Sequence, residues 1–266
     1  MEGLPLDRIR TDGGMMSIFR HIGCIGDSLS SGEFEVDIDK DGECGYWDCY
    51  EYSWGKIIER ITGIEMTNFS RGGMTAHKLY CEADRQNSVT ENINRLFAEE
   101  NTKQAYIVAL GVNDLNYIDM DCYNGQIGNP KTDIQADYRK NAHTLVGWYA
   151  RIIQRLQENE PDAKFFLITI PNDGSGKEAL SVFAEAVCGI AEQLDNCYVI
   201  DLFRHAPHYD DEFRRSYFNG GHMNAMGYTL SAHYIMTYID WIIKNNPNEF
   251  RYVQFIGSGK KPYLYE

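Results

Sequence analysis

His21-Ile22-Gly23-Cys24-Ile25-Gly26-Asp27-Ser28-Leu29 is the stretch from which the rest of the chain can be read. Its apolar first half predicts a buried strand over His21–Ile25. The second half is a tight turn that presents Ser28 at the strand's end, with its hydroxyl aimed into a cleft. A serine hydroxyl is inert until a positioned base removes its proton, so the segment calls for a histidine elsewhere. The GxSxG elbow is absent, because Ser30 stands two residues after Ser28.

Outward from this strand, apolar β-branched runs alternate with amphipathic stretches. Further strands are predicted over Glu65–Phe69, Tyr106–Leu110, Lys164–Ile170 and Tyr198–Asp201. Helices are predicted over Trp54–Ile61, Val89–Glu99, Asp133–Gln157, Glu178–Leu194 and Met226–Lys244. Strand and helix in alternation give βαβ units and a parallel sheet covered on both faces, a three-layer α/β/α sandwich. Right-handed crossovers and five strands point to the flavodoxin-like order 2-1-3-4-5. No linker or repeat interrupts the 266 residues, so one domain over 1–266 is expected, with a core at about 18–246 and extensions at both ends.

Ligands of open parallel sheets bind beyond the C-terminal strand ends. Ser28 follows the first strand, Gly73 the second and Asn113 the third, while His222 lies between the fifth strand and the last helix. All four converge on one edge. They sit in four blocks: Gly26-Asp27-Ser28-Leu29, Asn68 to Thr75, Gly111-Val112-Asn113-Asp114, and Asn219-Gly220-Gly221-His222 followed by Asn224-Ala225-Met226-Gly227-Tyr228. In this order the blocks resemble those of the SGNH/GDSL hydrolases.

The resemblance implies the SGNH hydrolase fold and a cofactor-free serine esterase. It makes Ser28 the nucleophile, His222 the general base, and the Ser28 and Gly73 N–H groups with the Asn113 amide the oxyanion hole. Such donors act because they are already aimed at the charge that develops in the transition state. Asp114 reads as structural. The sequence departs from the family at Asn219, where an aspartate usually holds the imidazole. Asparagine can accept the same hydrogen bond but carries no charge. Three arrangements follow: Asn219 as an uncharged orienter, a Ser-His dyad held by a backbone carbonyl, or a carboxylate from elsewhere such as Asp201, Asp210 or Asp211. The dyad is the expectation.

Asp37-Ile38-Asp39-Lys40-Asp41-Gly42, with Asp48 at the twelfth position, has the spacing of a calcium loop. Glutamate is usual at position twelve, and Leu29 to Val36 does not read as an entering helix, so an acidic surface turn is the expectation and no metal is assigned. His205 and His208 likewise read as a solvated loop. Two stretches on the active edge are aromatic: Tyr46, Trp47, Tyr50, Tyr52 and Trp54, and then Tyr117 and Tyr123. Aromatic faces among polar side chains suit sugar rings, and about half of these residues are expected in the core.

The net charge of −14 repels phosphate backbones and anionic lipid, so neither nucleic acid nor membrane is an expected partner. Seven scattered cysteines without a CxxC pair read as reduced thiols. Met1 to Arg20 lack an apolar signal core, and no run of 18 apolar residues occurs, which together predict a cytoplasmic protein. The expected activity is removal of a short acyl group, such as acetyl, from a carbohydrate or other polar small molecule. The alternatives are a thioesterase or lysophospholipase, or an inactive glycan-binding protein.

Overall fold

The computed structural model describes residues 14–37, 44–83 and 92–260. Its centre is a five-stranded parallel sheet of β1 (His21–Gly26), β4 (Glu65–Ser70), β5 (Ala105–Ala109), β6 (Lys164–Ile168) and β7 (Cys197–Ile200). The spatial order is β4-β1-β5-β6-β7, the flavodoxin-like order that the sequence predicts. Each strand lies within two residues of its expected bounds.

Alternation along the strands feeds two apolar layers. Ile22, Cys24, Ile107 and Phe166 face a layer closed by α2 (Trp54–Thr62) and α10 (Ala225–Asn245). Ile25, Tyr106, Val108, Phe165 and Leu167 face the opposite layer, which is closed by α3 (Ala76–Glu82), α6 (Leu145–Asn159) and α7 (Glu178–Gln193). Burial on both faces explains why these strands read as continuous apolar runs.

Two helix expectations are corrected. The pattern over 133–157 is broken: α5 (Pro130–Asp133) ends early, and α6 starts only after Thr144, whose side chain accepts from the Gly147 N–H. Between them the Asn141 side chain accepts from the Gln135 N–H, local bonding that competes with helix. Of the helix expected over Val89–Glu99, residues 89–91 lie outside the described residues. From Asn92 onward there are turns and one 3-10 turn, with Asn92 donating to Ser70 O and Asn101 to Arg95 O.

A hairpin that the sequence reading lacks lies between the first two sheet strands. Its arms are β2 (Glu33–Asp37) and β3 (Cys44–Asp48), antiparallel. Asp39 and Asp41 of the supposed calcium loop lie outside the described residues. Asp37 pairs with Cys44 at one end of the ladder, and Asp48 pairs with Glu33 at the other. Four residues of strand separate the backbones at those ends by about 13 Å. Asp48 accepts from Ser31 Oγ at 2.6 Å. Among the described residues no three His, Cys, Asp or Glu side chains converge to hold a metal, and no helix is long and apolar enough to cross a membrane.

Candidate active site

β1 delivers the serine turn. Asp27 caps the short α1 (Ser28–Ser31) by accepting the Leu29 N–H at 3.0 Å, which leaves Ser28 as the first helical residue at the sheet edge. Helix-start N–H groups have no partner within the helix, and the Ser28 N–H is one of them. β4 delivers the second block. Met74 N–H bonds back to Arg71 O, and Gly73 takes φ +66° within that turn, a conformation open to glycine at little cost.

β5 delivers the third block as α4 (Val112–Asn116). Asn113 Nδ2 donates to Met74 O at 3.1 Å and, at 3.4 Å, to Asp27 Oδ2. The amide thus stands between the serine turn and the glycine turn, as the family resemblance requires. Asp114 is wholly buried, and its Oδ1 accepts from both the Ala76 N–H and the Tyr123 hydroxyl, tying the third block to the second. Burial pushes the Asp27 carboxyl up to about 7 and that of Asp114 up to about 6.

The fourth block is a two-residue hairpin of β8 (Phe218–Asn219) and β9 (His222–Met223), with Asn219 paired to His222 across the Gly220-Gly221 turn. His222 is half-buried and does not bond the Asn219 side chain. Its Nδ1 lies 3.3 Å from Glu35 Oε2, and its Nε2 lies 3.1 Å from Glu33 Oε1. The two side chains of the Glu35 contact are 17% and 15% exposed. The two carboxylates hold the imidazole above its ordinary pKa, Glu33 more than Glu35, against the opposing effect of burial. The Gly221 N–H, followed by His222 itself, holds Glu35 below the usual carboxylate range despite its partial burial.

The other proposed orienters are engaged elsewhere. Asp201 caps α8 (Leu202–His205) and receives the Arg204 guanidinium at 2.6 Å and Thr169 Oγ1 at 3.3 Å, and Asp210 caps α9 (Asp211–Tyr217), whose first residue is Asp211. His205 bonds the Tyr238 hydroxyl at 2.9 Å.

Glu33 and Glu35 share one face of β2, together with Tyr46 and Asp48 across the ladder. The Tyr46 ring meets the His222 ring edge-on at 5.4 Å. On the opposite face Phe34 packs against Tyr228 and Tyr52, and the Tyr228 hydroxyl donates to Glu33 O at 2.6 Å. The same hydroxyl reaches Ser28 O at 3.4 Å. Of the aromatic residues, Trp54 and Tyr123 are core, while Tyr46, Trp47, Tyr52 and Tyr117 are exposed.

Ser28, Gly73, Asn113 and His222 are therefore all placed at the C-terminal edge. Among the described residues, however, no hydrogen bond joins Ser28 Oγ to His222. A model of the GDSL-like lipase/acylhydrolase family matches residues 24–230. The chain belongs to that family. No curated protein matches it. Solved structures share the fold at low identity. A carbohydrate esterase family 2 enzyme with a carbohydrate-binding domain, from Corynascus thermopiles (Myceliophthora fergusii), is 15% identical with TM-score 0.55, over 85% of this chain and 67% of that one. The psychrotrophic esterase EstA from Pseudoalteromonas sp. is 15% identical with TM-score 0.54, over 85% and 100%. The carbohydrate acetylesterase Est24 from Sinorhizobium meliloti is 14% identical with TM-score 0.52, over 84% and 99%.

Proposed function

We propose that this family member is a serine esterase that removes a short acyl group, such as acetyl, from a carbohydrate or other polar substrate. Ser28 Oγ attacks the ester carbonyl carbon and its proton passes to His222 Nε2. The carbonyl oxygen, now charged, is held by the Ser28 and Gly73 N–H groups and by Asn113 Nδ2, which gives up its long contact to Asp27. His222 returns the proton to the departing alcohol oxygen. Water then attacks the acyl-serine carbonyl with His222 as base, releasing the acid and restoring Ser28.

The observation that carries the substrate reading is the hairpin face at His222. Glu33, Glu35 and Asp48 line it with Tyr46, which is 57% exposed. Carboxylates accept from sugar hydroxyls, and aromatic rings stack on sugar faces. The same carboxylates repel the phosphates of a lysophospholipid or of a coenzyme A thioester. An apolar recess flanking the serine turn, lined by Leu29, Val112, Ile168 and Ile170 among others, measures about 70 Å³. A cavity of roughly 150 Å³ takes a benzene ring, so this recess favours a short acyl group.

A second reading, glycan binding without turnover, is favoured by Glu33 on the ring nitrogen that must face Ser28. Hydrolysis of p-nitrophenyl acetate, butyrate and octanoate and of an acetylated xylo-oligosaccharide separates these readings, with Ser28→Ala as control. Turnover of the acetyl esters that is lost in Ser28→Ala is expected. A preference for octanoate would sink the short-acyl reading, and sugar binding without turnover of any ester would favour the binder.

A further inference from the structure

We infer that Glu35, carried on the β2 strand, is the positioning acid of His222 and replaces the aspartate that the family usually keeps at position 219. The inference rests on the esterase reading above for its role in turnover, and on geometry for its contact.

The contact joins residues 187 positions apart. Glu35 Oε2 sits 3.3 Å from His222 Nδ1, the nitrogen that does not deal with the serine. The same oxygen accepts the Gly221 N–H at 2.5 Å, so the carboxylate is fixed before it meets the ring. A fixed, ionised acceptor keeps the proton on Nδ1 and leaves Nε2 as the base. Asn219, although paired with His222 across the ladder, is exposed on β8 and makes no bond to the ring.

The Gly-Gly pair carries a second, independent sign of the arrangement. Gly220 has φ +60°, and a tight hairpin turn requires such a residue at its first position. Gly221 has no positive φ, so the turn does not account for it. A Cβ there would stand 3.2 Å from Glu35 Oε2, and one at Gly220 would stand within 2.3 Å of Glu35 Oε1. Bare backbone at both positions lets the carboxylate lie flat against the turn. Asparagine at 219, glycine at 221 and glutamate at 35 thus belong to one exchange of acids, from inside the histidine block to the hairpin.

The hairpin is itself held to the machinery. Tyr228 bonds the backbone of both Ser28 and Glu33, and Phe34 packs on the Tyr228 ring. The titratable groups that face His222 are Glu33 and Glu35 from β2, Asp27 from the serine turn and Tyr46 from β3. Glu35 also meets the Cys44 thiol.

The test compares wild type, Glu35→Gln, and Glu35→Ala with and without Asn219→Asp, by kcat and KM on p-nitrophenyl acetate across pH 5–9. Glu35→Gln should lower kcat by about 10²–10⁴ on the precedent of serine triads, at little change in KM. It should also move the acid limb of the profile to lower pH. Asn219→Asp should restore at least tenfold in kcat to Glu35→Ala by returning an acid to the family position. Unchanged kcat and acid limb in a folded Glu35→Gln would overturn the inference. Should the wild type turn over no ester, the esterase reading fails by itself. The contact is then tested by NMR titration of His222: its pKa should fall in Glu35→Gln, and an unmoved value would refute the contact.

Discussion

Glu33→Gln is expected to make the enzyme faster. Glu33 Oε1 lies 3.1 Å from His222 Nε2, the nitrogen that takes the Ser28 proton in the proposed mechanism. Its other oxygen lies against Gly72, where a Cβ would come within 2.3 Å of it, next to Gly73, the proposed oxyanion donor. The carboxylate therefore fills the space between base and oxyanion hole that an ester must enter. A charge-assisted contact is worth about 1.5–3 kcal/mol when sheltered. With 16% of the Glu33 side chain exposed, water screening leaves about 1 kcal/mol. Releasing that hold raises the share of molecules with a free Nε2 by a factor of about five. Because Glu33 is the largest influence raising the His222 pKa, the acid limb of kcat/KM should also move to lower pH. Stopped assays on p-nitrophenyl acetate from pH 5 to 9 read both effects. The two glutamates should thus act in opposite directions on rate, Glu33→Gln upward and Glu35→Gln downward. A tenfold or greater loss of kcat in Glu33→Gln would refute the reasoning and make Glu33 a group that the substrate needs.

Three further outcomes are expected. Asn113→Ala should lower kcat by about 10²–10³ with KM nearly unchanged, because in the proposed mechanism its amide meets the substrate's negative charge only in the transition state; steady-state kinetics on one small ester checks this. Gly73→Ala should destabilise by about 1–2 kcal/mol, since φ +66° is strained for alanine while the new methyl meets nothing within 4 Å; a urea midpoint measures it. Burial holds the Asp27 pKa near 7 in the fold, well above the ordinary aspartate value of about 3.8, so the folded chain binds the proton more tightly. That contribution is complete below about pH 4 and is lost as pH rises through 7. The melting temperature of Asp27→Asn relative to wild type should accordingly rise between pH 5 and 8, and a flat difference would contradict the burial argument.

The sheet was legible because its strands are buried on both faces, which leaves unbroken apolar runs such as Tyr106–Leu110. The four site blocks were legible because each sits in the few residues after a strand or before a helix, where turn chemistry constrains the sequence. The hairpin was not. Glu33-Phe34-Glu35-Val36 alternates with period two, acidic on one face and apolar on the other, but so short a run leading straight into an acidic turn does not mark a strand by itself. What Glu35 touches depends on a pairing across 187 residues, which no local pattern records. The available clue was the conjunction of Asn219 with two glycines before His222, a histidine block without an acid but with room for one. The split of the long helix over 133–157 was likewise hidden, because the apolar periodicity of α6 continues upstream while Asn141 and Thr144 bond locally.

Covalent labelling of Ser28 tests the central claim most directly. A fluorophosphonate is attacked by an activated serine hydroxyl: the Oγ–P bond forms, fluoride leaves and the proton passes to the base. Mass spectrometry of the labelled, digested protein should find one adduct per chain on the peptide containing Ser28, absent in Ser28→Ala and formed far more slowly in His222→Ala. An unlabelled wild-type chain, or an adduct at another serine that survives Ser28→Ala, would contradict the account.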